Sequence, residues 1–215
     1  MNSKRTFPIA ILVTTILFSA CRGPEIKENI ASTSFISSKP SSEKYVIDKK
    51  ESVIIWKATM QFTLGAGHFG YVDIANGELM VDKGQLTGGL VEVDMNTIAD
   101  ERHGRDNNLV NHLKNADFFE VEKFSTSVFT ITKVEPATGE NVKVTGLLTI
   151  KGITNLVDFI ANIEVKGGVV NANGKLTIDR TRWDVRYKSG KFFDNLADET
   201  ISDNVEFEVK IVARR

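Results

Sequence analysis

From Tyr45 onward the chain is governed by a period of two. Val205-Glu-Phe-Glu-Val-Lys-Ile211 alternates apolar and charged residues over a whole strand length. Val157-Asp-Phe-Ile-Ala-Asn-Ile163 does the same with Ile160 as the exception, and Val91-Glu-Val-Asp-Met95 is a third case. Ile54-Ile-Trp-Lys-Ala58, Phe129-Thr-Ile131 and Leu148-Thr-Ile150 are partial cases. Side chains of a strand alternate between its two faces, so this pattern predicts half-buried β-strands. Asn76-Gly77, Lys83-Gly84, Gly139, Lys151-Gly152, Gly167-Gly168 and Asn173-Gly174 separate the runs and are expected as turns. One segment differs. Asp106-Asn107-Asn108 supplies helix caps, and Leu109 and Leu113 follow at i, i+4, which predicts a short helix ending near Phe118-Phe119. The expected class is therefore all-β, an antiparallel sandwich or barrel with one or two short helices.

In a sandwich the apolar faces pack together. In an eight-stranded barrel they line a lumen that is filled by side chains or holds one small ligand. The alternation is the same in both, so it leaves a filled interior and an open one as alternatives. An open lumen would be lined by Ile54 and Trp56, Val91 and Val93, Phe129 and Ile131, Leu148 and Ile150, Phe159 and Ile163, and Phe207 and Val209. Such a wall offers almost no hydrogen bonds, so its ligand would be a long apolar molecule, with each buried methylene contributing about 0.8 kcal/mol.

The N-terminus reads as an address. Lys4 and Arg5 precede the twelve-residue apolar run Phe7–Phe18, long enough for a signal h-region and short of the ~20 residues of a membrane span. Leu17-Phe18-Ser19-Ala20-Cys21 resembles a bacterial lipobox, with Phe18 where Leu is commonest, and Cys21 is the only cysteine of the chain. That resemblance implies a signal peptide over residues 1–20, lipid attachment at Cys21, and an exported protein anchored in the bacterial cell envelope, facing the periplasm or in the outer membrane. Residues 21–44 carry few large apolar side chains and a Ser/Thr cluster from Ser32 to Ser42, as expected of a flexible tether. Residues 45–215 would then form one domain, with 41% hydrophobic residues over the whole 215-residue chain to build its core. Lys+Arg 27 against Asp+Glu 28 argues against nucleic acid as a partner. Cleavage before Cys21 removes Lys4 and Arg5 and no acid, taking the net charge from −1 to −3. Tethering would thus fall to the lipid rather than to charge.

Read in order, further motifs resemble the YceI-like family. They are Tyr45-Val-Ile-Asp48, Ser52-Val-Ile-Ile-Trp56, Gly67-His-Phe-Gly70, Gly77-Glu-Leu79 and Val91-Glu-Val-Asp-Met-Asn-Thr-Ile98. His112-Leu-Lys114 followed by Asp117-Phe-Phe-Glu-Val121 is the most specific, with Thr145-Gly-Leu-Leu-Thr-Ile-Lys-Gly152, Ile178-Asp-Arg180, Phe192-Phe-Asp194 and Asp203 beyond it. The resemblance covers Tyr45 to about Ala213. It implies an extended lipocalin-like antiparallel barrel of about eight strands around an elongated apolar cavity. The implied ligand is a polyisoprenoid lipid, including isoprenoid quinone-like molecules, held without a cofactor. Phe124 is followed by Ser125 where members often have Pro, which should alter a turn and leave the fold intact.

A lipid carrier needs polar groups at its mouth for a headgroup. His68, flanked by glycine, His112 on the expected helix, and Arg180 are the candidates. Their structural alternatives are a turn contact, helix packing, and an ion pair with an acid such as Asp184. The three histidines show no short metal-ligand spacing, and His103 is expected on an exposed loop. No nucleophile elbow, phosphate loop or dinucleotide fingerprint occurs, so the expected role is non-catalytic binding. Two rival readings remain: an envelope redox or hydrolytic protein acting on an isoprenoid quinone or headgroup, and a filled barrel serving as an interaction module. The sequence leaves a homodimer open.

Overall fold

The computed structural model describes residues 42–62 and 67–215. The expected signal peptide, Cys21 and the tether up to residue 41 lie outside the described residues. Among the described residues there are nine strands: β1 (Glu43–Ile47), β2 (Val53–Met60), β3 (Gly67–Asp82), β4 (Gln85–Asp100), β5 (Thr126–Pro136), β6 (Asn141–Ile150), β7 (Ile153–Lys166), β8 (Val169–Asp179) and β9 (Ile201–Arg214). A helix α1 (Asn108–Lys114) and two 3-10 turns (Arg180–Trp183 and Ala197–Glu199) complete the order. The tether expected to reach residue 44 thus gives way to strand two residues earlier, at Glu43.

Strands β2 to β9 form an up-and-down ring. Each is antiparallel to the next, and β9 returns to β2 through Trp56 opposite Phe207. The result is the expected eight-position closed antiparallel barrel, which leaves no free sheet edge along the ring. Strand β1 occupies the same position as β2, farther along the axis: it pairs with β3 (Tyr45 opposite Leu79) and with the end of β9 (Val46 opposite Arg214). The break between them is stitched by side chains. The Asp48 carboxylate accepts from the Lys50 and Glu51 amides. The Ser52 hydroxyl donates to the Val212 carbonyl and accepts from the Val212 amide, replacing a missing ladder rung.

Lys83-Gly84, Lys151-Gly152 and Gly167-Gly168 are two-residue hairpin turns with positive φ at both positions, the geometry that matches strand twist. Gly139 also turns, with φ +68. Asn76-Gly77 and Asn173-Gly174 do not: both lie inside continuous strands. Their glycines admit neighbours instead. A Cβ at Gly77 would meet Ile47 Cδ1 at 2.5 Å, and one at Gly174 would meet the Phe159 ring at 2.7 Å. Ile160, the break in the β7 alternation, points outward and is 50% exposed. The Ser125 carbonyl accepts from the Met95 amide (2.9 Å), holding the turn after Phe124.

The two ends of the barrel differ. Where the β3–β4, β5–β6 and β7–β8 hairpins lie, Tyr45, Ile47, Leu79, Val81, Val170 and Ile211 pack solidly across the interior. The opposite end carries α1, the segment after it, and the loops around the 3-10 turns. Helix α1 ends at Lys114 rather than near Phe118-Phe119, because the chain turns back on it: Phe119 and Val121 donate to the carbonyls of Leu113 and Lys114.

Candidate binding lumen

The inward positions of the ring enclose a cavity of about 180 Å³ in the half of the barrel capped by α1. Its exposed wall is entirely apolar. Strand parity brings Ile54, Trp56, Val91, Val93, Phe129, Leu148, Ile150, Phe159, Phe207 and Val209 onto this wall, each a position expected from the alternation. Ile131 and Ile163 share their face but not their depth. Both pack against the solid cluster at the plugged end, so neither reaches the cavity. Further wall residues lie beyond the expected lining. Leu113, Phe118 and Phe119 arrive from the helical segment and Val185 from the loop after the first 3-10 turn, while Ala58, Val72 and Leu176 continue inward rows. Helix α1 is held in place by Asn107, whose side chain accepts from the Val110 amide, and by Val110, which is fully buried.

Arg180 reaches the wall with its guanidinium turned away from the cavity. Its three nitrogens donate to the carbonyls of Ser202 (3.0 Å), Val185 (2.8 Å) and Ile201 (3.2 Å). Its carboxylate neighbour is Asp203 at 3.6 Å, not Asp184, which pairs with Arg186. Burial pushes the Arg180 guanidinium below its ordinary value, with Asp203 and Asp179 opposing, and it stays cationic at any physiological pH. Lys191 bridges Asp179 (2.6 Å) and Asp203 (3.2 Å). Burial pushes Asp179 up, but hydrogen bonds from Lys191 and Thr181 outweigh it and hold the carboxyl low. Arg180 therefore clamps the end of β8, the following loop and the start of β9 around the cavity rim.

The tryptophans divide. Trp183 is fully buried behind the wall, with its indole nitrogen donating to the Leu148 carbonyl (3.0 Å). Trp56 is on the wall, and its indole nitrogen is buried without a hydrogen-bond partner.

Neither histidine proposed for the mouth lines the cavity. His68 stands at the start of β3 with its Nδ1 3.4 Å from Asp100, and the loop residue His103 places its Nδ1 2.7 Å from the same carboxylate. Two histidines 35 residues apart thus converge on one buried Asp, a juxtaposition made by the β3–β4 pairing that sequence spacing does not display. Asp100 also accepts from the Arg102 and His103 amides. Burial pushes its carboxyl up, but the bonds from His103 and His68 outweigh this and hold it low. His112 packs edge-on between Phe118 and Tyr187 (centroids 5.0 and 4.6 Å), with Nε2 3.0 Å from Asp117. It joins the helical cap to the loop after Arg180 across the outside of the lumen.

Comparison with known proteins agrees with this architecture. A model of the YceI-like domain family matches residues 45–213. A UPF0312 protein of Shewanella baltica is 28% identical over 145 residues, 64% of this chain and 67% of its own length. A second S. baltica relative is 29% identical over 121 residues, 53% of this chain and 59% of its own. Protein YceI of Salmonella newport is 27% identical over 139 residues, 64% and 71% of the two chains. The chain thus spans roughly three-fifths to two-thirds of the length of the S. baltica relatives. Among solved structures, Burkholderia cenocepacia BcnA superposes with a TM-score of 0.64 at 19% identity, over 78% of this chain and 99% of that one. A polyisoprenoid-binding domain from Saccharophagus degradans gives 0.56 at 13% identity, over 79% and 97%. These likenesses at low identity establish the barrel fold.

Proposed function

The chain belongs to the YceI-like domain family, and we propose from that premise that it is a cell-envelope lipid-binding protein whose lumen holds a polyisoprenoid or similar amphiphile. The observation that carries this reading is the cavity: about 180 Å³, apolar over its whole exposed wall, and plugged at one end by the packed barrel core. A dry apolar cavity of ~150 Å³ accommodates a benzene molecule. The lumen as it stands therefore suits a hydrocarbon segment of about seven carbons. The wall would replace water around that segment, and a headgroup would sit toward the capped end. No wall residue presents a polar atom to the cavity, which favours retention of an intact ligand over chemistry on it. The S. degradans neighbour, a polyisoprenoid-binding domain, supports the same ligand class.

Export and anchoring through an acylated Cys21 belong to the proposal. They rest on the lipobox-like run Leu17–Cys21, and the tether would hold the barrel within reach of the membrane.

Native mass spectrometry of the purified chain, with organic extraction of the same sample, tests the reading. The expected result is a defined added mass that extracts as a prenyl lipid. An apo mass that stays unchanged when isoprenoids are added would overturn it in favour of a filled interaction barrel.

A further inference from the structure

We propose that the capped end of the barrel docks on a lipid bilayer through Phe62, Phe69, Phe192 and Phe193, so that cargo passes between membrane and lumen without crossing water. The exchange rests on the lumen reading above; the docking surface itself does not.

Among the described residues these four are the exposed phenylalanines, at 63%, 41%, 46% and 45% exposure, and all lie at the capped end. The Gln61 amide donates to the Thr200 carbonyl (2.8 Å), and a Cβ on Gly190 would lie 3.5 Å from Thr200 and 4.0 Å from Gln61. That contact sets the end of β2, with Phe62, beside the turn that carries Phe192 and Phe193. Phe69 is the third residue of β3, opposite Lys57, with its carbonyl held by the Glu101 amide (3.0 Å). The display is built in. The amides of Phe192 and Phe193 both donate to the carbonyl of Ser189, a fully buried residue, which fixes the turn while the rings stand out.

Two observations favour a bilayer as the occupant, and the length of chain after Cys21 permits it. The opposite end is packed solid, so an apolar cargo reaches the lumen at this end. The cations around Phe192 and Phe193 are already matched: Arg186 with Asp184, its guanidinium lying over the Phe192 ring, Lys188 with Glu199, and Lys191 with Asp179 and Asp203. The surface therefore attracts apolar matter rather than anions, unlike a basic lipid-binding patch. Finally, the described chain enters the barrel at the plugged end, where Glu43 lies opposite Val81. The 21 residues from Cys21 to residue 41 can extend about 70 Å, against about 53 Å for the 16-residue strand β4. Attachment near residue 21 thus leaves either end free to meet the membrane, and the phenylalanines decide which does.

The test couples the full chain through Cys21, its only cysteine, to a maleimide-bearing phospholipid in phosphatidylcholine vesicles containing brominated phosphatidylcholine. Phe193→Trp reports the capped end and Glu140→Trp the plugged end. Quenching of the Phe193→Trp signal by about twofold is expected, with Glu140→Trp unaffected. The combined change of Phe62, Phe69 and Phe192 to Ser should abolish that quenching, and salt up to ~0.5 M should leave it unchanged, since paired charges carry none of it. Absent quenching at residue 193, equal quenching at residue 140, or persistence in the serine variant would overturn the docking, and would turn the patch over to a protein partner. Farnesol binding in vesicle-free buffer reads the lumen separately. If farnesol fails to bind while the quenching pattern holds, the docking stands and the cargo reading falls.

Discussion

Gly70 and Trp56 face one another across the β2–β3 ladder, and the glycine makes room for the indole. A Cβ at residue 70 would lie 2.7 Å from Trp56 Cζ2 and 1.8 Å from the Ala99 carbonyl oxygen. The second contact is backbone, so no rotamer change relieves it. Gly70→Ala should destabilise the barrel by about 2–3 kcal/mol, at the upper end of overpacking costs. It should also push the indole into the lumen. Urea unfolding measures the first effect, and a shifted Trp56 emission maximum in the folded variant measures the second.

The two tryptophans should respond differently to ligand. Trp56 is on the cavity wall with an unpartnered N–H, whereas Trp183 is sealed behind it and bonded to Leu148. Farnesol should therefore change the emission of the wild-type chain and of Trp183→Phe. Trp56→Phe should lose the response while still binding within about tenfold of wild type. Trp183→Phe should cost roughly 1–3 kcal/mol of stability through its lost hydrogen bond and packing. A response that survives in Trp56→Phe would place the ligand outside the lumen.

The contrast between Phe129 and Ile131 shows what the sequence can carry. Both lie on the inward face of β5, and alternation identified both as inward. Only Phe129 reaches the cavity; Ile131 belongs to the plugged end. Parity specifies a face, whereas depth along the axis depends on how far β1 and the long hairpins extend, which is a property of the assembled ring. The strands and turns were legible, because a period of two and two-residue turns such as Lys151-Gly152 are local signals, whereas closure into a ring came only with the family resemblance. The cap was not legible. Phe118 and Phe119 were visible as the expected end of a helix and as part of the Asp117-Phe-Phe-Glu-Val121 motif, neither of which points them at a lumen, and His112 meets Tyr187 across 75 residues of sequence. Arg180 was legible as a candidate mouth residue, but its partners are three carbonyls and Asp203, which only the fold brings together.

Asp100 ties the rim together and makes it acid-sensitive. Its carboxyl is held below the ordinary range because, although burial pushes it up, the His103 and His68 bonds prevail. A carboxyl lowered in the folded state stabilises at pH values above its unfolded pKa, about 3.9, and that contribution is lost as pH falls through the lower folded value. Asp100→Asn keeps the shape and removes the charge. It should lower Tm by about 3 °C or more at pH 7, as expected for weakening charge-assisted bonds in a domain of this size. The gap between variant and wild type should close progressively below about pH 4. Thermal melts across that range check it; a gap independent of pH would mean that Asp100 acts through packing alone.

Cavity volume sets the ligand's measure. If the buried segment is about seven carbons, affinity across a series of linear prenols should rise steeply while added carbons still enter the lumen. Each buried methylene is worth about 0.8 kcal/mol, close to fourfold in Kd. Beyond that length the curve should flatten, since the added units emerge at the capped end rather than displacing Tyr45, Leu79 and Val170 from the plug. Ala58 offers the complementary experiment, because it lines the wall with the smallest side chain there. Ala58→Phe should fill much of the cavity, weaken farnesol binding by at least about tenfold, and leave Tm unchanged or raised, as filling a dry void adds contacts without straining a packed core. If affinity instead climbs undiminished to much longer prenols, the plug must part to receive them. The Ala58 variant then decides whether they still enter through the same lumen: retained binding would mean that they do not.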